Sequence, residues 1–351
     1  MAQFKKLTVE QITYADSGII KFINDDGSRA YAFPALTGDL SVGDEVIVNT
    51  TAVDLSLGTG GWHFLVWNLK NNELITPSGG HIMKMRYTPF QLDSGVEEED
   101  QSYIESDDLS PMSVIAVPLH SQIAPIVSYL KSKANLNISV LISDGAALPV
   151  ALSDLLRSLK ENDLINSTIS FGHSFGGDFE SLNIYSALIT AKNIANADVA
   201  IVTMGPGIVG TNTKYGFTGI EVAHHLDVAK KFNCDSIGVI RASSADKRER
   251  HYGISHHSLT CYSKATFLSH SLGVIEDHEL SAKMISQLED NNIFALHDVH
   301  RLSSVGIVDM MEKFNIHVSS MGRKAKDDEL FYEMAATSAQ ILIHDLGSEY
   351  V

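Results

Sequence analysis

The chain has 351 residues, 44% hydrophobic and 20% charged, a length that predicts two domains, or three, at about 100–200 residues each. Enough apolar material is present to bury a full core, which excludes disordered, collagen-like and coiled-coil classes. Lysine and arginine total 26 against 43 acidic residues, a net charge of −17. A field of that sign repels phosphate backbones and anionic headgroups, so neither a nucleic acid nor a membrane surface is expected as a partner.

The start, Met1-Ala2-Gln3-Phe4-Lys5-Lys6 followed by Leu7-Thr8-Val9-Glu10, lacks the continuous apolar run of a signal peptide. The longest uncharged stretch, around 109–129, contains Pro111, Pro118, Pro125, His120 and Gln122 and does not read as a membrane span. Cys234 and Cys261 are too few for a disulfide framework or a four-thiolate zinc site. These signs predict a cytoplasmic protein with reduced thiols.

Residues 1–92 read as a small all-β, barrel-like domain. Short apolar runs such as Ile19-Ile20-Lys21-Phe22-Ile23 and Glu45-Val46-Ile47-Val48 are separated by Asp25-Asp26-Gly27, Val42-Gly43-Asp44 and Gly58-Thr59-Gly60-Gly61. A last strand is predicted at 81–87. An acidic segment follows, with Asp93, Glu97, Glu98, Glu99, Asp100, Glu105, Asp107 and Asp108, and residues 93–112 read as a solvated linker.

From residue 113 to 351 strands alternate with amphipathic helices. Strands are expected at 113–117, 138–142, 168–171, 199–203, 236–240, 266–268 and 316–319, and helices at 121–134, 150–161, 180–196 and 217–232. That alternation predicts an α/β domain with a doubly wound, mostly parallel sheet. No internal repeat is visible, and exposed apolar surface on the β domain leaves a homo-oligomer open.

In an open α/β sheet, ligands bind outside the carboxyl ends of the strands. The predicted strand ends lead into Pro118-Leu119-His120-Ser121-Gln122, Ser143-Asp144-Gly145, Gly172-His173-Ser174-Phe175-Gly176-Gly177-Asp178, Met204-Gly205-Pro206-Gly207 and Arg241-Ala242-Ser243-Ser244. Such a supply of His, Asp, Ser, Gly and Arg predicts a ligand cleft. His120, His173 and His251 are the acid/base candidates, and Asp144 and Asp178 would orient a histidine or hold a cation.

Gly205, Gly207 and Gly210, with Thr211, form a glycine-rich loop whose backbone N–H groups suit an anion. They match G-x-G-x-x-G formally, but six residues, 211–216, intervene before the next helix, where a dinucleotide fingerprint opens the helix inside the motif. Arg241, Lys247, Arg248 and Arg250 put four basic residues within ten positions of an acidic chain. With Ser243 and Ser244 they suit a phosphorylated ligand, and the alternative is a solvated basic loop paired with the protein's own acids.

Gly172-His173-Ser174-Phe175-Gly176 matches the G-x-S-x-G nucleophile elbow, although no His-Gly-Gly oxyanion motif precedes it. His251, His256 and His257 cluster among 15 histidines and are candidates for a metal, although no spacing matches a known metal pattern. The adjacent pair His224 and His225 is expected to diverge on a helix rather than meet one ion.

Gly80-His81-Ile82-Met83-Lys84-Met85-Arg86-Tyr87-Thr88-Pro89, His120-Ser121-Gln122, Phe175-Gly176-Gly177-Asp178, Gly205-Pro206-Gly207-Ile208-Val209-Gly210-Thr211 and the stretch from Arg248-Glu249-Arg250-His251 to Ser255-His256-His257 resemble a family of bacterial proteins, mainly Gram-positive, classed as a domain of unknown function. The resemblance covers nearly the whole chain. It implies a bacterial, cytoplasmic protein and names neither an activity nor a cofactor.

Together these readings point to binding of a small anion, a phosphorylated metabolite or nucleotide, at the carboxyl edge of the sheet, with or without catalysis. The alternatives are an NADP-dependent oxidoreductase, a serine hydrolase, a non-catalytic ligand sensor and a purely structural role.

Overall fold

The computed structural model describes residues 2–57, 60–76 and 80–348. The chain divides into two compact units, Met1–Gly95 and Val96–Val351.

In the first unit, strands β1 (Phe4–Ala15), β2 (Ile20–Asn24), β3 (Arg29–Ala32), β4 (Glu45–Asn49) and β5 (Trp62–Asn68) form a closed barrel in the order β1-β2-β3-β5-β4, β4 returning to β1. Only β3 and β5 run parallel. Period-2 alternation fills the barrel: Ile20 and Phe22 point inward with Leu7, Val9, Ala30, Val46, Val48 and Leu65. Two single-turn helices, α1 (Pro34–Thr37) and α2 (Thr51–Asp54), join the strands. The strand expected at 81–87 shrinks to β6 (Met83–Lys84), paired with β7 (Leu92–Asp93). Met85 and Tyr87 take positive φ values of 49° and 63°, a conformation no strand contains.

The acidic segment expected as a linker belongs to the second unit from Val96 onward. Glu97–Glu99 form a 3-10 turn, Glu98 accepts the Leu182 N–H at 2.8 Å, and Leu109 and Met112 are fully buried.

Strands β8 (Ser113–Ala116), β9 (Ile138–Ser143), β10 (Ser167–Phe171), β11 (Phe179–Ser181), β12 (Val199–Met204) and β13 (Asp235–Gly238) are followed by a small antiparallel pair, β14 (Ala242–Ser243) and β15 (Gly253–Ile254). Strands β16 (Ser271–Ile275) and β17 (Asp298–Leu302) complete an eight-stranded sheet, order β11-β10-β9-β12-β8-β13-β16-β17. All its neighbours pair in parallel. A last pair, β18 (Ser319–Ser320) and β19 (Arg323–Lys324), lies outside that sheet.

Strands β8, β9, β10 and β12 are buried at every residue, as both faces are covered by helices. Neighbours Val114 and Ile115 on β8 point into different cores. Ile115 packs with α3 (Ile123–Lys133), α4 (Asp154–Glu161), α10 (Ile307–Lys313) and α11 (Glu329–Ser348). Val114 packs with α5 (Ile184–Asn193) and the end of α6 (Glu221–Lys231). Short helices α7 (His256–Thr260) and α9 (Ile293–Leu296) and the longer α8 (Ser281–Asp290) surround β16.

The expected helices are shorter than their apolar patterns. Asn183 caps α5 by accepting the Tyr185 and Ser186 N–H groups, which frees the preceding Phe179–Ser181 to be a strand. The others begin as 3-10 turns, at His120–Gln122, Val150–Leu152 and Thr218–Ile220. No strand forms at 266–268, and only Ser319 of 316–319 is in one. The true strands are Ser271–Ile275 and the exposed edge Asp298–Leu302, whose polar composition gives no apolar run. Among the described residues no helix is long and apolar enough to cross a membrane.

Candidate functional site

Strand β12 lies between β9 and β8, so the chain leaving β8 through α3 and the chain leaving β12 through α6 depart toward opposite faces of the sheet. That divergence is a topological switch point, where α/β sheets open a crevice. Here a cavity of about 10 Å³ is lined by Pro118 and Leu119 after β8, Phe217 after β12, and Arg241, His257 and Tyr262 after β13.

The segment after β13 builds most of the site. Arg241 donates its N–H to Ser258 Oγ at 2.9 Å, and its carbonyl accepts the Ser255 N–H at 2.9 Å. These bonds seat α7 against the strand end, while β14 and β15 close the basic loop between them. Ser255 caps α7, accepting the His257 N–H, and contacts His251 Nδ1 at 2.7 Å. The geometry brings the three candidate metal residues together: one ligand nitrogen from each of His251, His256 and His257 lies within 4.8 Å of the others. The adjacent His256 and His257 have ring centroids 4.2 Å apart, against 6.2 Å for the expected diverging pair His224 and His225.

Burial pushes the His251 and His257 imidazoles down to about 3, and burial likewise lowers His256. The nearby Arg241 and Arg248 guanidiniums act in the same direction on all three. The rings are therefore neutral near pH 7. His256 Nε2 and both nitrogens of His257 are buried with no protein hydrogen-bond partner.

Next to them lies an arginine cluster. Asp246, with 3% of its side chain exposed, accepts from Arg248 at 2.8 and 3.0 Å, pairs with Arg241 at 3.4 Å and faces Arg323 at 3.7 Å. Hydrogen bonds from Arg248 hold the Asp246 carboxyl far below the usual carboxylate range. Asp328 faces Arg323 at 3.1 Å and accepts from Ser243 Oγ at 2.6 Å and from the Ser244 N–H at 3.1 Å. Burial lowers Arg241 to about 10, still protonated at neutral pH. Arg241 Nε and Arg323 Nε are both buried without a hydrogen-bond partner.

The glycine loop adjoins this site. A Cβ on Gly210 would sit 3.1 Å from the His257 ring, which stacks on Phe217 at 4.1 Å. Arg250 bonds Asn212. Two of its N–H groups are engaged locally: the Thr211 N–H goes to the Gly216 carbonyl at 2.7 Å and the Val209 N–H to Thr218 Oγ1 at 3.2 Å. Gly205 is packed on the Ala147 carbonyl, and Gly207, at φ 107°, supplies the turn.

The remaining candidates lie elsewhere on the carboxyl edge. His120 is a strut, with Nδ1 on the Met204 carbonyl at 3.0 Å, Nε2 on Ser153 Oγ at 2.6 Å, and burial pushing it down to about 4. Asp144 accepts the His173 N–H at 2.9 Å and pins the turn at Gly172. Asp178 accepts from Thr168 at 2.8 Å and pairs with Lys160, so it is spent on the fold. Ser174 is fully buried and donates to the Leu148 carbonyl at 2.8 Å. A strand, Phe179–Ser181, follows it where a nucleophile elbow requires a helix, so the motif match is a coincidence.

Glu221 escaped the sequence reading. At the first turn of α6 it bonds Ser143 Oγ and lies 2.6 Å from where a Gly145 Cβ would stand; burial, with Asp144 adding, raises it to about 7. Its position, the first acid of the helix after the glycine loop, was a usable signal. Arg323 and Asp328 reach the site from far along the chain and left no local one.

Neither the curated proteins nor the solved structures give a match to this chain. The model of one protein family, described as protein of unknown function (DUF3866), matches residues 29–339. That span runs from β3 into α11 and includes every residue of the arginine and histidine clusters, and the chain belongs to this family.

Proposed function

We propose that the chain binds a small anion, of the phosphorylated-metabolite or nucleotide class, at the arginine cluster beyond β13. The observation that carries this reading is a local excess of positive charge around one deeply buried guanidinium: the Arg241 side chain is 4% exposed, against 23% for Arg323 and 50% for Arg248. Three guanidiniums, Arg241, Arg248 and Arg323, surround only two carboxylates, Asp246 and Asp328. Arg250, bonded to an amide oxygen, adds a fourth positive charge nearby. Burying charge without a partner is costly, and Arg241 Nε and Arg323 Nε are donors still lacking one. An anion oxygen satisfies both demands through charge-assisted hydrogen bonds.

The NADP reading finds less support. The Thr211 N–H is bonded inside the glycine loop, the first helical turn after it starts only at Thr218, and Ser243 is committed to Asp328. A catalytic role and a sensor role share this crevice, and the anion reading holds for either.

Titration calorimetry of the full chain with phosphate, pyrophosphate and nucleoside phosphates, in buffer containing EDTA, tests the proposal. The Arg248→Ala/Arg323→Ala double variant is expected to weaken the tightest of these by about tenfold or more, one lost charge-assisted bond being worth about 1.5–3 kcal/mol. Equal affinity in the variant, or no binding by the wild type, refutes it.

A further inference from the structure

We infer that His251, His256 and His257 form a resident site for one divalent transition metal, with an open coordination position beside the arginine cluster. This inference goes beyond the anion reading and stands independently of it. Three independent features support it.

The first is convergence. Adjacent residues on a helix ordinarily point about 100° apart, yet the rings of His256 and His257 lie 4.2 Å apart and each is about 5 Å from His251. A metal with nitrogen ligands at about 2.0–2.1 Å needs the nitrogens about 3.4 Å apart in a tetrahedron. The observed separations, within 4.8 Å, need only small side-chain rotations to reach it.

The second is unmet demand. Buried polar atoms are nearly always partnered. Here His256 Nε2, His257 Nδ1 and His257 Nε2 are all buried with no protein partner. Phe217, stacked on His257, and Gly210, against its edge, hold that ring in place without offering it a hydrogen bond.

The third is the support around the ligands. Metal-bound imidazoles typically give their second nitrogen's proton to an acceptor that fixes ring orientation. Ser255 Oγ stands 2.7 Å from His251 Nδ1 and so directs Nε2 to the metal, and the same oxygen caps the helix carrying the other two ligands. One hydroxyl thus sets all three ligands in register. An all-imidazole donor set suits zinc, iron, nickel or copper and not magnesium or calcium. Three protein ligands leave a fourth position open, as catalytic rather than structural sites do. The adjoining guanidiniums favour an anionic group in that position.

The test uses the purified full chain, stripped with EDTA and then dialysed against Zn²⁺ in phosphate-free buffer, with Co²⁺ as the spectroscopic probe. About one Zn²⁺ per chain is expected, and the Co²⁺ form should show the intense visible bands of a four- or five-coordinate nitrogen site. His256→Gln and His257→Gln should each weaken binding by about tenfold or more, while His224→Gln, outside the cluster, leaves it unchanged. Far-UV circular dichroism and the melting temperature establish that each variant is folded; should His257→Gln not fold, the half-buried His256→Gln decides. Substoichiometric Zn²⁺ in the wild type, or affinity unchanged in His256→Gln, overturns the inference. Because metal binding is read without phosphate and anion binding with EDTA, the two proposals fail separately.

Discussion

Glu221 shows how one side chain ties the fold to pH. Its carboxyl is drawn to about 7 by burial, opposed by the Ser143 hydroxyl and reinforced by Asp144. The folded chain therefore holds this proton more tightly than the unfolded chain, in which the group titrates near its ordinary 4.5. Its contribution is most favourable below that value and is lost as pH rises through about 7. Glu221→Gln keeps the shape and removes the titration. Guanidinium unfolding at pH 5 and pH 8 should show the variant gaining on the wild type at the higher pH, by at most about 3 kcal/mol. A difference independent of pH contradicts the assignment. At this scale the sequence was only partly readable. His251, His256, His257, Arg241 and Arg248 were visible because neighbours in sequence became neighbours in space. Asp144 and His120 were visible as polar residues at strand ends, but only their hydrogen bonds show that they brace turns. Arg323 and Asp328 could not be found, since a contact spanning some 80 residues of chain, such as Ser243 to Asp328, leaves no local pattern.

At the scale of elements, the glycine loop after β12 packs closely against its neighbours. Glycine admits a close backbone approach whether the visitor is an anion or another loop. Gly205 is pressed against the backbone carbonyl of Ala147, in the loop after β9. Gly205→Ala should therefore destabilise the protein by about 1–3 kcal/mol through overpacking, with little change in anion affinity for the folded fraction. Thermal unfolding and calorimetry separate the two effects, and a variant of normal stability that has lost anion binding would place the anion on the glycine loop instead. The buried strands were legible because β8, β9 and β12 are short, largely apolar runs bounded by turn residues, the pattern of a strand covered on both faces. The failures have physical causes too. Strand β17 is a polar edge, β16 is interrupted by Gly273 packed on Thr337, and 3-10 turns replace the first turns of helices whose apolar periodicity runs straight through them.

Across the whole molecule, a chain of net charge −17 gathers four arginines, with Arg241 buried among them, at one place, the carboxyl edge of its parallel sheet where the connections diverge. Electrostatics makes that contrast informative. A negative field repels anions at long range, so an anion that binds does so through short, desolvated contacts rather than through steering. The glycine loop, the basic loop and the histidine cluster, read from the sequence as three separate signals, adjoin one another there through Arg250–Asn212 and His257–Gly210. On the function proposed above, this meeting point is an anion site. Crystals grown with selenate, a heavy-atom analogue of phosphate and sulfate, test it most directly by anomalous scattering at the selenium edge. A peak is expected within hydrogen-bonding reach of Arg241 Nε and Arg323 Nε, absent from crystals of Arg248→Ala/Arg323→Ala. Selenate bound only elsewhere, or an empty arginine cluster at saturating selenate, would contradict it.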